Sequence, residues 1–282
     1  MKVIIPMAGT GNRFLKSGYT DPKPLINVNK KRIIEYILEM FDEDDEIIFI
    51  CNKDHLINND MKNILKNIRN DITVVEIPSH KKGPVYTVLQ AGNIIEDDDE
   101  VIVCYCDNPF IWDYSEFKKY VSNSCVDGCI LTHTGFHPHT LSDTKMAYLK
   151  VDKNNLLLEI KEKECYTDYP MSEHASTGAY YFRKGLFVKK YFNEIIENNI
   201  QYNGEYYVTL VYNMLVADGL KVGFYDTEYV TVFGTPQEVE NFEAWSTILK
   251  GSQVKNTDDL IACYNYWKSY HAHSSNIKRK EK

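Results

Sequence analysis

Short apolar runs alternate with amphipathic stretches of helical period from residue 3 to residue 106, and this alternation restricts the fold more than anything else in the chain. The runs are VIIP (3–6), EIIFIC (46–51), ITVVEI (72–77) and VIVCYC (101–106), each short enough for a buried strand. Between them, Ile33, Ile34, Ile37, Leu38 and Phe41 recur at helical spacing over 32–41, and Leu56, Met61, Ile64, Leu65 and Ile68 over 54–68. Pro84 opens a third helical stretch carrying Val85, Val88, Leu89 and Ala91, at a position where its missing N–H costs nothing. Strands and helices in alternation with short connections predict parallel strands, right-handed crossovers and helices on both faces. Ligands of such sheets bind at the carboxyl ends of the strands, so the loops after Pro6 and Cys106 are where chemistry is expected.

After Pro109 the rhythm changes. Strands are expected near 126–133, 146–151, 156–161, 177–183, 221–226 and 229–233, with helices near 184–198, 205–218 and from Pro236 to about residue 249. This half reads as a mixed extension of the first sheet, giving a three-layer α/β/α chain with a mixed, mainly parallel sheet. The catalytic unit is expected over 1–250. Residues 251–282 read as a helix over 257–270 followed by a polar tail, NIKRKEK, expected to be frayed and solvated.

Composition narrows the partners. A 282-residue chain with 44% apolar residues can bury a substantial core. Its 32 basic and 40 acidic residues give a net charge of -8, which argues against a general nucleic-acid binder. A local Lys/Arg cluster can still attract a small anion. Met1-Lys2 leads directly into a strand and no run approaches the roughly 20 apolar residues of a membrane span, so neither a signal peptide nor a membrane partner is expected. Seven cysteines without a C-x-x-C pair fit a reduced, cytoplasmic setting.

The first loop reads AGTGNRFLKSGYTDPKPL. Gly9 and Gly11 let the backbone turn sharply and bring bare N–H groups to an anion, with Ala8, Thr10 and Asn12 in the same cradle. Arg13 offers a planar, permanently charged fork, and Lys23, stiffened by Pro22 and Pro24, brings a second cation. A long polyanion needs backbone donors at one part and cations at another, which explains the reach from Arg13 to Lys23. The dinucleotide pattern would require glycine where Phe14 stands, and no P-loop sequence occurs. The plain alternative is an ordinary strand-to-helix turn.

Asp107 follows the fourth strand and is a hard oxygen ligand suited to Mg²⁺; its plain alternative is a turn cap before Asn108-Pro109. The acidic run 96–100 precedes that strand and reads as a solvated turn. His133, His137 and His139 lack a cysteine or carboxylate at zinc spacing and read as a polar loop beside the acceptor. Cys104 and Cys106 point to one face as buried thiols, and His174 reads equally as an acceptor contact or a surface residue.

These motifs, in this order, resemble the nucleotidyltransferases that build nucleotide-activated sugars from a nucleoside triphosphate and a sugar 1-phosphate. The matching segments are Gly9-Thr10-Gly11-Asn12-Arg13, Pro22-Lys23-Pro24-Leu25, Gly83, Asp107, Glu162-Lys163, Thr177-Gly178, Glu205-Tyr206-Tyr207 and Gly234-Thr235-Pro236, spread over about 1–248. The "GYTDPKPLI" version resembles a bacterial branch linked to surface polysaccharide synthesis. The resemblance implies a Rossmann-like, GT-A-like fold with a nucleotide-binding half to about residue 110 and an acceptor half beyond it. It implies catalytic roles for Arg13 and Lys23, nucleotide binding by residues 8–12 and Gly83, and an acceptor site of Glu162, Lys163, Thr177, Gly178 and Glu205. It also implies Mg²⁺ on Asp107. The partners implied are an NTP and a phosphorylated small molecule, with a homo-oligomer left open.

The chain departs from that pattern where Val232 stands in place of a second metal-binding Asp, for which Asp226, Glu228 or Glu205 are candidate substitutes. Asn12 replaces the usual Thr or Ser, and Lys16-Ser17-Gly18-Tyr19 replaces a proline-threonine segment. Competing readings are a cytidylyltransferase acting on a non-sugar phosphate such as phosphocholine, a glycosyltransferase of similar architecture, which would want a D-x-D where Asp107-Asn108-Pro109 stands, and a non-catalytic sensor.

Overall fold

The computed structural model describes residues 1–141, 145–251 and 260–268. Its main sheet contains β1 (Lys2–Met7), β2 (Glu46–Asn52), β3 (Ile72–Ile77), β4 (Val101–Cys104), β5 (Gly128–His133), β6 (Ala147–Val151), β7 (Leu157–Glu162), β8 (His174–Phe182) and β9 (Val222–Asp226). The helices are α1 (Asn12–Lys16), α2 (Ile33–Leu38), α3 (Lys53–Asn58), α4 (Met61–Ile68), α5 (Pro84–Leu89), α6 (Tyr114–Ser124), α7 (Gly185–Glu197), α8 (Val208–Ala217) and α9 (Pro236–Gly251).

The strands run β3-β2-β1-β4-β8-β5-β9 across the sheet. β1 pairs parallel with both β2 and β4, as the alternating pattern demands. β8 then enters antiparallel between β4 and β5, and its first residues also pair with the β6–β7 hairpin. Alternate side chains of one strand go to opposite faces, and two cores result. Val3, Ile5 and Met7 join Phe49, Cys51, Cys104 and Tyr181 under α2, α4 and α6. Ile4 joins Ile48, Val103, Tyr180 and Phe182 under α5, α7 and α8. Cys104 and Cys106 are buried on the first face, as expected.

Several boundaries differ from expectation. The helix expected over 54–68 is broken in two, because Asp60 adopts a left-handed conformation (φ 51°) that no α-helix continues through. The helix expected from 205 starts only at Val208; Glu205 instead closes a turn at 203–204 through a bridge to Tyr202. The strand expected over 229–233 shrinks to Tyr229–Val230, paired not in the main sheet but with Phe110–Ile111 in a two-stranded ribbon. β8 begins earlier than expected, at His174, because it borrows partners from the β6–β7 hairpin. The acidic 96–100 segment is a turn whose Asp97, Asp98 and Asp99 pair with Lys189, Lys184 and Lys2.

A third cluster lies beside the main cores. It joins Phe14, Tyr36, Tyr229, Phe233 and Phe242 to Leu260, Cys263 and Trp267 of the helical segment 260–268. The rest of the helix expected over 257–270, and the NIKRKEK tail, lie outside the described residues. Among the described residues no helix is long and apolar enough to cross a membrane.

Phe182 is fully buried against Phe192 and Tyr212, with ring centroids 5.6 and 5.0 Å away. Phe182→Ala should lower unfolding free energy in urea by about 3–5 kcal/mol. Ile57→Ala, at a position 67% exposed, should stay within about 0.5 kcal/mol.

Candidate active site

The carboxyl ends of β1 and β4 open into one cavity of about 470 Å³. The β1–α1 loop forms one wall, from Pro6 to Phe14, and α1 is only five residues long. Lys23, held in a single 3₁₀ turn behind Pro22, forms a second wall. His80, Lys81 and Gly83 close the side next to α5, and Tyr105, Cys106 and Asp107 form the floor after β4. Glu205, Tyr207 and Gly234 arrive from the second half of the chain.

At its centre, Lys23 Nζ donates to Asp107 Oδ2 at 2.5 Å, 84 residues away in sequence. The two side chains are 19% and 17% exposed, so solvent screens the pair only partly. Burial works against the lysine charge, but the charge of the Asp107 carboxylate and its hydrogen bond outweigh it, and the Lys23 pKa lies above its ordinary value. Arg13 is exposed at the rim. The late segment holds the Asp107 backbone: Phe233 N–H donates to the Asp107 carbonyl at 2.7 Å and Thr231 N–H to that of Pro109 at 3.0 Å.

Gly83 has φ 86°, which favours glycine, and a Cβ there would lie 2.8 Å from the Tyr206 N and O atoms. Tyr206 N–H donates to the Lys82 carbonyl and Val85 N–H to the Tyr206 carbonyl, so the two halves of the chain are stitched together at this wall. Ala8, Gly9, Thr10, Gly11, Asn12, Arg13, Lys23, Gly83, Asp107 and Glu205 all border the cavity.

The other expected acceptor residues stand behind it. Lys163 Nζ donates to Tyr207 Oη at 3.0 Å and lies over the rings of Tyr207 and Tyr202. Its backbone is left-handed (φ 58°), unusual for lysine. Glu162 is buried and accepts from Thr209 Oγ1 at 2.6 Å; burial pushes its pKa up, against the pull of Thr209 and Lys163. Thr177 is fully buried with its hydroxyl on the Leu131 carbonyl, and Gly178 packs against Tyr105 and Asn108. Glu162 and Thr177 therefore face protein, at the register shift of β8 and beneath α8.

A hard cation fits the Asp107 end. Gly234 borders this oxygen: a Cβ built there would lie 3.5 Å from Asp107 Oδ2, an ordinary van der Waals contact. Glu238 Oε2 lies 3.2 Å from the same point, on a residue that sequence reasoning did not single out. Among the described residues no group of three or more His, Cys, Asp or Glu converges as a metal site. Mg²⁺ held by one or two carboxylates, substrate phosphates and water matches such a donor set. Of the three proposed substitutes for the Val232 position, only Glu205 borders the cavity. Asp226 is engaged by Thr132 and His174, and Glu228 by Tyr264 and Lys268.

His133, His137 and His139 pack together with buried rings, His133 standing edge-on to the other two. Burial and the neighbouring imidazoles hold the His133 pKa well down, and burial lowers His139 to about 3, so both rings are neutral packing groups at pH 7. His174 lies on Asp226 and Phe224. His80, Lys81 and Tyr105 were missed; only the Lys-Lys-Gly-Pro junction gave a signal, since Tyr105 looks like any other tyrosine, whereas Tyr207 lies in the Glu205-Tyr206-Tyr207 segment already singled out.

A family model for nucleotidyl transferases matches residues 2–214. The chain belongs to the nucleotidyl transferase family. Among its relatives are the bifunctional protein GlmU of Clostridioides difficile strain 630 (25% identical over 229 residues, 79% of this chain) and that of Methanococcus maripaludis strain C7 (25% over 241 residues, 85%). The match takes in 46% and 53% of those proteins, so the chain spans about half their length. A nucleoside-diphosphate-sugar pyrophosphorylase from Vibrio cholerae RC9 superposes with a TM-score of 0.68 at 20% identity, covering 86% of this chain and 99% of that one. A UTP-bound UGPase from Acinetobacter baumannii gives 0.63 at 18%, covering 88% and 93%. At these identities the likeness is one of fold.

Removing one partner of the Lys23–Asp107 pair strands the other charge in a half-buried site. Lys23→Met or Asp107→Leu alone should cost about 1–3 kcal/mol of stability in the nucleotide-free protein. The double variant should recover part of that loss, giving a coupling of about 1 kcal/mol or more in a double-mutant cycle read by urea denaturation.

Proposed function

We infer that the protein transfers a nucleoside monophosphate from an NTP to a sugar 1-phosphate or a similar phosphorylated small molecule, releasing pyrophosphate. The observation that carries this reading is the cavity itself. A glycine loop, the Lys23–Asp107 pair and an exposed Arg13 face one space large enough for a nucleotide, in a chain of this family. The names of the relatives favour a sugar phosphate as acceptor, and the "GYTDPKPLI" segment favours a role in surface polysaccharide synthesis. Seven free thiols, none joined to another, suit a reducing cytoplasm.

The acceptor's phosphate is anionic at neutral pH and needs no general base. Its oxygen forms the new bond to the α-phosphorus while the α–β bridging P–O bond breaks and pyrophosphate departs with the electron pair. Catalysis is then positioning and charge stabilisation. Main-chain N–H groups of residues 8–12 take the triphosphate. Arg13 stabilises the leaving pyrophosphate, and Lys23 the α-phosphoryl oxygens. Gly83 and its loop receive the nucleoside. Lys163, turned by its left-handed backbone onto Tyr207, brings in the acceptor phosphate. Glu162, Thr177, Gly178 and Glu205 shape the acceptor side. Mg²⁺ held by Asp107 would supply charge neutralisation at the phosphate oxygens.

A glycosyltransferase reading has less support, since Asp107-Asn108-Pro109 gives one carboxylate where two are wanted. Four NTPs set against a panel of sugar 1-phosphates and phosphocholine, read by pyrophosphate formation, separate these activities. Lys23→Ala and Asp107→Ala should each lower turnover by about a hundredfold or more. Near-normal turnover in both variants, or no pyrophosphate with any pair, would remove the reading.

A further inference from the structure

His80 borders the nucleotide cavity, and both of its ring nitrogens are taken by the protein. Nδ1 accepts the Lys82 N–H at 3.1 Å, and Nε2 lies 3.1 Å from Thr87 Oγ1. A ring nitrogen that accepts carries no proton, so the neutral ring holds its proton on Nε2 and donates it to Thr87 Oγ1. The Thr87 hydroxyl proton is then free to reach the Gly83 carbonyl, at 3.1 Å. Three hydrogen bonds in series therefore tie the 80–83 loop to the first turn of α5, at the point where Gly83 is wedged against Tyr206.

The arrangement exists in one protonation state only. An imidazolium would point an N–H at the Lys82 N–H, donor against donor. Burial and Lys82 resist that proton and hold the His80 pKa below its ordinary value; Glu205 favours it. The other groups around the ring are Tyr86 of α5, whose ring centre is 4.7 Å away, and the flanking Lys81. Lys82 Nζ lies 4.3 Å from the Tyr86 ring centre, which keeps a positive charge beside the loop.

We propose that His80, as the neutral Nε2–H tautomer, is a positioning residue that fixes the 80–83 wall against which the nucleoside of the triphosphate docks, and that protonating this ring releases the wall. The identity of the ligand rests on the nucleotidyl-transfer reading; the state of the ring does not. The sign follows from the hydrogen bonds: binding is full where the ring is neutral and weakens as pH falls through its folded pKa.

Two measurements on the full chain test this. In ligand-free protein labelled with ¹⁵N-histidine, long-range ¹H–¹⁵N spectra at pH 7.5 should show His80 protonated on Nε2 alone; an Nδ1–H tautomer or an imidazolium overturns the proposal. Equilibrium binding of mant-labelled ATP, GTP, CTP and UTP should then be followed from pH 5.5 to 8 in wild type, His80→Phe and His80→Asn. For the nucleotide bound best, Kd at pH 7.5 should rise about tenfold in His80→Phe, which keeps the ring packing but loses both bonds. His80→Asn, which retains an acceptor for Lys82, should fall between. Wild-type Kd should rise with acid more steeply than that of His80→Phe, in which the titration of this ring is absent and every other titrating group is shared. Equal affinities for wild type and His80→Phe, or parallel pH profiles, overturn the proposal. Binding of none of the four by wild type overturns the docking role together with the nucleotidyl-transfer reading, and the NMR spectra still decide the tautomer.

Discussion

The ion pair between Lys23 and Asp107 is the contact on which the site depends. It joins the segment after β1 to the end of β4, and it forms because these two strands are parallel neighbours. Parallel pairing brings both carboxyl ends to the same edge of the sheet, so two loops far apart in sequence open into one space. In the absence of ligand, each charge is the other's compensation in a site that water reaches only partly. One arm of the pair reaches in from the turn after Pro22, and the other rises from the floor of the cavity.

Around this pair, the second half of the chain works as a brace. Hydrogen bonds from Thr231 and Phe233 fix the backbone from Asp107 to Pro109. Tyr206 does the same for the 80–83 loop, accepting from Val85 and donating to Lys82. Most of the cavity lining thus comes from the first half, while hydrogen bonds from the second half hold it in place. Tyr207 extends the same connection to Lys163, and so couples the two halves through a side chain as well as through backbone.

β1, β2 and β4 were legible in the sequence because they are buried on both faces and read as apolar runs, while β3 at the sheet edge is only partly buried. Arg13, Lys23 and Asp107 were legible as candidates because Arg13 closes a glycine loop, Lys23 is flanked by two prolines and Asp107 stands at a strand tip. What the sequence did not disclose depends on distant partners. Nothing local says that Glu162 will be covered by Thr209, or that Thr177 will turn its hydroxyl to Leu131. The break at Asp60 falls where the apolar spacing slips, since Leu56 and Met61 are five residues apart and do not share the face of Met61, Ile64, Leu65 and Ile68. The ribbon of Phe110–Ile111 with Tyr229–Val230 joins residues more than a hundred apart, so the 229–233 run suggested a longer strand than the fold can pair.

The segment 260–268 has a significance that its position near the end of the chain conceals. Its Leu260, Cys263 and Trp267 cover Tyr229 and Phe233, and Phe233 carries the N–H that grips the Asp107 carbonyl. The last described helix thus behaves like the keystone of an arch whose span ends at the acidic floor. Taking it away would leave every cavity-lining residue in the chain while uncovering Phe233, whose N–H holds the Asp107 carbonyl.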